Sequence, residues 1–244
     1  MKLIKPNVEI LEQSPGLRGV HEAICQAAAT CYKSAPKTGE KAEDFVDALI
    51  KNGHLAMLEF GTVFLEIPNL GVEGAPKNCA ALWTFFKENP YSACIEFPQY
   101  DPYVLLVTTN YRVLVETGIL EVLKYMCEPS QFHIQRYTVR FIASVGVGRE
   151  FTRHRAFSFA QESTRYCNYS KDKFNNQVTF IIPSWSTTIK EGEYNRPLDA
   201  SEAEDKDYIF GYSCWMAECF YKDMIEAKAS PQEAREAFAR RSIN

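Results

Sequence analysis

Apolar residues recur along this chain at two periods, which divide it into helices and strands. Residues 1–9 read as a short strand. Over 18–32, Val20, Ile24, Ala27, Ala28 and Cys31 fall at three- and four-residue steps, which predicts a helix. A second helix is predicted over 41–52, with Phe45, Val46, Leu49 and Ile50 on one face and Gly53 placed to stop it. TVFLEI (62–67) alternates as a strand, with Val63, Leu65 and Ile67 inward. Pro68 and the stretch from Gly71 to Pro76 break the chain. CAALWTFFKENP reads as a short helix stopped by Pro90.

YVLLVTTN (103–110) predicts a buried strand. The segment from there to Cys127 predicts a helix, with Val113, Leu114, Leu120, Leu123 and Met126 as its core side. FHIQRYTVRFIA (132–143) is the longest strand candidate. GVGREFTRHR then turns into a short helix ending near His154, and an exposed loop follows. QVTFIIP (177–183) is another strand. Residues 202–227 predict a long helix whose buried stripe is Tyr208, Tyr212, Trp215, Cys219 and Met224. A last helix starts at Ser230-Pro231-Gln232-Glu233, where Ser230 and Glu233 fit a capping box and Pro231 the first helical position. The pattern gives an α+β class: a single mixed domain over 1–244, with a central mainly antiparallel sheet flanked by helices and residues 68–130 as an insertion.

Composition narrows the setting. With 244 residues, 46% of them hydrophobic and 24% charged, the chain has the balance of a globular protein with a substantial core. Its first residues lack a signal-peptide core, and no run approaches the ~18 apolar residues of a membrane span. A cytoplasmic protein with no membrane partner is expected. The eight cysteines include no C-x-x-C pair and no metal-binding spacing, so reduced structural thiols and no metal are expected. The net charge of −4 offers no extended basic surface, which argues against a polymeric nucleic-acid partner.

Against that acidity, RHRAFSFAQESTRY (153–166) concentrates Arg153, Arg155, Arg165, His154 and several hydroxyls. Guanidinium groups match carboxylate or phosphate oxygens in pairs. Ser158, Ser163 and Thr164 add donors, and the Gln161 amide can read a ring that carries both donor and acceptor. Phe157 and Phe159 alternate with the polar set and are expected to point into the core. Three readings stand open on this chemistry: arginines paired with surface carboxylates, a pocket for a small phosphorylated ligand, or a nucleic-acid contact. GHLAMLEF (53–60) sets His54 just past a helix and Glu59 entering a strand, which suits either a ligand-bordering loop or a solvated cap. Arg235, alone on the last helix, suits a solvated face. No Ser-His-Asp order or glycine-rich phosphate loop is present, and GVGRE (146–150) lacks the full dinucleotide fingerprint.

Arg153-His154-Arg155, seven residues, then Ser163-Thr164-Arg165-Tyr166 resembles the signature of flavin-dependent thymidylate synthases. AATCYKS (28–34), GHLAMLEF, VTFIIP and SPQEAR (230–235) resemble further elements of that family in the same order. The resemblance covers most of the chain outside 68–130. It implies that family's α+β fold and the reductive methylation of dUMP to dTMP. It implies FAD as cofactor, with NADPH and methylenetetrahydrofolate as co-substrates. It also implies a homotetramer with sites shared between subunits, and no enzyme cysteine that must attack the base.

By position, the resemblance puts Arg153, His154, Arg155 and Gln161 on the flavin, bordered by His54, Ala56 and Glu59. For dUMP it implies Glu150, Arg153, Gln161, Glu162, Ser163, Thr164, Arg165 and Arg235. Arg153, Ser163 and Arg165 are the catalytic candidates. Ala29, Ala56 and Phe60 depart from residues common in the family. After SPQEAR the family continues through a Leu-Pro turn into further helices, whereas here EAFARRSIN follows, with Arg240 and Arg241 outside the pattern. The expectation is therefore an active synthase or, alternatively, a truncated dUMP- or flavin-binding remnant.

Overall fold

The computed structural model of the chain describes residues 1–69, 71, 73–96, 103–165, 167–172, 175–201 and 204–238, with Tyr32 described for its backbone alone. The chain divides into two compact units, one made of Met1–Glu9 with Val139–Asn244 and the other of Ile10–Thr138. Both helices and strands are present, so the α+β class holds. The strands among the described residues form three small sheets, where the sequence pattern predicts one central sheet.

In the Ile10–Thr138 unit, α1 (Gly16–Tyr32) and α2 (Glu40–Lys51) form where helical periodicity predicts them. Val20, Ile24 and Val46 are fully buried. Gly53 carries φ of +70°. It lets the His54 N–H reach the Leu49 carbonyl and its own N–H the Ile50 carbonyl, closing α2 with a left-handed cap. Strands β3 (Thr62–Pro68), β4 (Ala93–Glu96) and β5 (Val104–Asn110) form an antiparallel sheet with β5 central. Val63, Leu65 and Ile67 all point inward and are fully buried, as their alternation predicts. Every β5 residue is buried, because this strand is paired along both edges and covered on both faces. Helix α3 (Cys79–Glu88) buries Leu82, Trp83 and Phe86 in the same core.

Two expectations in this unit fail for identifiable reasons. The helix predicted up to Cys127 is cut by Gly118, which takes φ of +70° and caps a short α4 (Tyr111–Thr117). A 3-10 helix, Leu120–Tyr125, follows, with Leu120 exposed. The long strand predicted over 132–143 survives only as β6 (Thr138–Ile142). Its first half is a turn built on buried His133. The His133 Nδ1 accepts from the Ser130 N–H at 3.1 Å, and its Nε2 lies 3.3 Å from the Leu65 carbonyl. A side chain that organises backbone groups in this way competes with a strand ladder.

In the other unit, β1 (Lys2–Ile4) lies between β7 (Thr179–Ile181), parallel to it, and β8 (Gly192–Glu193), antiparallel. Pro6 separates β1 from β2 (Asn7–Leu11), so the predicted single strand is two; β2 pairs with β6, and Glu9 forms an ion pair with Arg140. Helix α6 (Asp205–Glu226) buries a different stripe from the predicted one: Asp207, Gly211, Cys214, Ala217, Glu218 and Tyr221 are inside, while Tyr212 is exposed. An apolar-stripe reading assumes that carboxylates face water. Here Asp207 accepts from the Thr188 N–H at 3.0 Å and from the Ser186 and Thr188 hydroxyls. Glu218 accepts from the Val178 N–H at 2.8 Å and pairs with the Met1 amine at 2.7 Å. Both carboxylates are fixed by hydrogen bonds, which allows their burial. The last helix, α7 (Pro231–Ala234), has the predicted capping box: Glu233 N–H donates to the Ser230 Oγ, and Ser230 N–H to the Glu233 carboxylate.

Candidate functional site

The signature loop is carried by helix α5 (Val145–Phe151), whose N-cap Ser144 accepts from the Val147 N–H. Phe151 packs on Phe141 of β6 with ring centroids 4.7 Å apart, which fixes the helix to the ribbon. Glu150 lies exposed on α5. Turn hydrogen bonds then run from the Arg153 N–H to Glu150 and from the His154 N–H to Phe151, as the helix unwinds. Arg153, His154 and Arg155 are exposed. Among the described residues no carboxylate lies within ion-pair distance of Arg153 or Arg155. Among the described residues, then, these two arginines have no surface carboxylate as partner.

Phe157 and Phe159 do not enter the core. They are 67% and 37% exposed, and with His154 they form a chain of ring contacts at 6.3 and 6.4 Å. Gln161 folds back on α5, its Nε2 donating to the Gly148 carbonyl at 2.9 Å. A Cβ at position 148 would sit 3.1 Å from that nitrogen, so glycine is what admits the amide so closely. Glu162 is exposed, but its Oε1 accepts from the Tyr169 hydroxyl at 2.7 Å. Ser163 caps its own turn: its Oγ accepts from the Arg165 N–H at 3.3 Å and its carbonyl from the Cys167 N–H at 3.0 Å. The Thr164 Oγ1 accepts from Arg235 Nη1 at 3.4 Å.

Arg235 thus lies against the loop, half-buried, and not on a purely solvated face. Two residues 71 positions apart in sequence meet there. The capping box starts α7 at a fixed residue and so fixes which side of the turn Arg235 occupies. Tyr166, Arg240 and Arg241 lie outside the described residues.

His54, Ala56 and Glu59 belong to the Ile10–Thr138 unit. His54 and Ala56 are exposed, and His54 precedes a 3-10 helix, Leu55–Phe60. Glu59 sits within that helix, not at the start of a strand. Its carboxylate holds Arg112 Nη1 at 2.5 Å, and Arg112 also binds Glu116 through Nε and Nη2 at 2.9 and 2.8 Å. The hydrogen bonds that Arg112 donates to Glu116 first, then to Glu59, push its pKa further up. Burial pulls the nearby Arg136 guanidinium down, opposed by the Glu59 charge.

Sequence reasoning missed Tyr169, Tyr221 and Arg112. Tyr169 is buried beneath the loop, and burial, with the Glu162 carboxylate beside it, pushes its phenol far above the ordinary value. It donates as a neutral hydroxyl throughout the working range. A tyrosine four residues past the signature arginine, Arg165, was the available signal, but spacing alone does not separate it from a core aromatic.

Among the described residues no helix is long and apolar enough to cross a membrane. Comparison with curated proteins and with solved structures gives no match. One family profile does match, described as thymidylate synthase complementing protein, over residues 109–240. That span holds the whole signature loop, α5 and Arg235, and begins inside the stretch predicted as an insertion. Covering more than half of the chain, it places this protein in the thymidylate synthase complementing protein family, the flavin-dependent thymidylate synthases.

Proposed function

We propose that the chain is an FAD-dependent thymidylate synthase that converts dUMP to dTMP with methylenetetrahydrofolate and NADPH. The observation that carries this reading is the signature loop held against Arg235 through Thr164, inside the matched segment. The donor set suits the ligands. Arg153 and Arg155 are exposed cations with no carboxylate partner among the described residues, which fits a diphosphate or monophosphate. When bound, FAD reduced by NADPH would supply the hydride, and methylenetetrahydrofolate the carbon that becomes the C5 methyl.

The chain's own residues bind and orient. Arg153, His154, Arg155 and Gln161 would hold the flavin; His54, Ala56 and Glu59, which belong to the other unit, are assigned to a flavin by the family resemblance alone. Arg165 and Ser163 hold the nucleotide phosphate, joined by Arg153, Arg235 and Thr164. Gln161 offers both donor and acceptor to the uracil amide edge, while Glu150 and Glu162 accept from nucleotide N–H and O–H groups. Fixed cations beside the ring favour negative charge developing on uracil, which lowers the barrier to attack from C5. No thiol is poised as a nucleophile among the four whose shifts are largest: burial pushes Cys25, Cys94 and Cys127 up to about 11 and Cys214 to about 12. The exposed Ile209, Tyr212 and Phe220 on α6 suit self-association as a cytoplasmic homotetramer.

The test is dUMP-dependent NADPH oxidation by flavin-loaded protein, with dTMP identified as product. Turnover establishes the synthase. Binding of dUMP without turnover makes the chain a binding remnant, and absence of binding defeats both readings.

A further inference from the structure

The loop that would cradle dUMP is anchored from below by one aromatic cluster. Tyr169 is 6% exposed, and its hydroxyl reaches out to the Glu162 carboxylate at 2.7 Å. Its backbone N–H donates to the Tyr221 hydroxyl of α6 at 3.2 Å. Tyr221 stacks on Phe238 at 4.9 Å and 15°, and the Tyr169 ring meets both edge-on, at 5.8 and 6.1 Å. Phe238 follows Arg235 by three residues, and Arg235 touches Thr164 of the same loop. The cluster therefore holds the loop at Glu162 and, through the turn that carries Arg235, at Thr164.

We propose that Tyr169 is a positioning residue of the nucleotide site, aiming the Glu162 carboxylate and tying the signature loop to α6 and to the turn that carries Arg235. The inference rests on the dUMP reading above. An exposed carboxylate needs no protein partner, because water solvates it. A buried phenol does need an acceptor, and here it takes one on the loop itself. The contact restrains the Glu162 side chain in the free protein, and a ligand no longer has to meet the entropic cost of that ordering. A carboxylate only accepts hydrogen bonds, and the donors of dUMP are its sugar hydroxyl and its ring N–H. Glu162 therefore addresses the nucleoside, while Arg165 and Ser163 address the phosphate.

Calorimetry with dUMP on the full chain tests this, using Tyr169→Phe, Glu162→Gln and the double variant, with thermal melts alongside. Tyr169→Phe keeps the ring and removes only the hydroxyl. The expected result is a loss of about tenfold in affinity for each single variant and about tenfold, not a hundredfold, for the double. Melting points should stay within about 4 °C of the parent. Parent-like dUMP affinity for Tyr169→Phe overturns the positioning role and leaves the dUMP reading intact. Additive losses, or a Tyr169→Phe chain that does not fold, also overturn it, since the hydroxyl would then be structural. A parent protein that binds no dUMP overturns the nucleotide reading itself, and the positioning role with it.

Discussion

Replacing Gly148 by alanine sets two effects of opposite sign against each other. The position lies inside α5, where alanine is preferred over glycine by roughly 0.5–1 kcal/mol. The new Cβ would stand 3.1 Å from Gln161 Nε2, closer than ordinary contact, so the amide must retreat by a few tenths of an ångström. Gln161 is exposed and flexible, so the retreat strains little, but it stretches the 2.9 Å bond to the Gly148 carbonyl. That bond contributes about 0.5–1 kcal/mol at most. The two terms nearly cancel in stability, and the melting point should move by no more than about 3 °C either way. Binding has no such compensation, because Gln161 is displaced where it would read the uracil edge. Affinity for dUMP should fall by about threefold to tenfold, equivalent to ~0.7–1.4 kcal/mol. Calorimetry and a thermal melt on the same preparation decide it. An unchanged dUMP affinity would refute the role given to Gln161, and a drop of more than about 5 °C would refute the packing argument.

Gly19→Ala should be far more damaging, since its Cβ would fall 1.6 Å from the Ser14 carbonyl oxygen; loss of the folded chain, or destabilisation beyond about 3 kcal/mol in urea melts, is expected. Burial pushes the Asp207 carboxyl up, but hydrogen bonds from Thr188 and Ser186 outweigh it and hold the group below its ordinary value. Its contribution to stability is therefore complete above the ordinary Asp value of about 4 and is lost as pH falls through the depressed one. Asp207→Asn should lower the urea midpoint at pH 7, and its gap to the parent should narrow as pH falls below about 4. Replacing Arg153 and Arg155 together by alanine should leave stability within about 1 kcal/mol and abolish flavin retention, read as visible absorbance of the purified protein.

The sequence made the local elements legible where one force dominated. Val63, Leu65 and Ile67 alternate because one face of β3 is buried, and Ser230 to Glu233 specify a cap whatever surrounds them. It misled where a polar side chain did structural work. His133 turned half of a predicted strand into a loop, and Asp207 and Glu218 rotated the buried face of α6 away from its aromatic stripe. In the site, the family signature named the loop, but its anchoring by Tyr169 and the contact between Thr164 and Arg235 depend on long-range packing. Periodicity carries no information about such contacts.

The absence of carboxylate partners for Arg153 and Arg155 among the described residues also bears on speed. On a chain of net charge −4, an uncompensated pair of cations forms a local patch of attraction in a field that otherwise repels anions. A dianionic ligand would sense that patch only within about 8–10 Å at physiological salt. Adding salt would then slow capture while leaving release almost untouched, so the salt dependence of affinity would reside in the association rate.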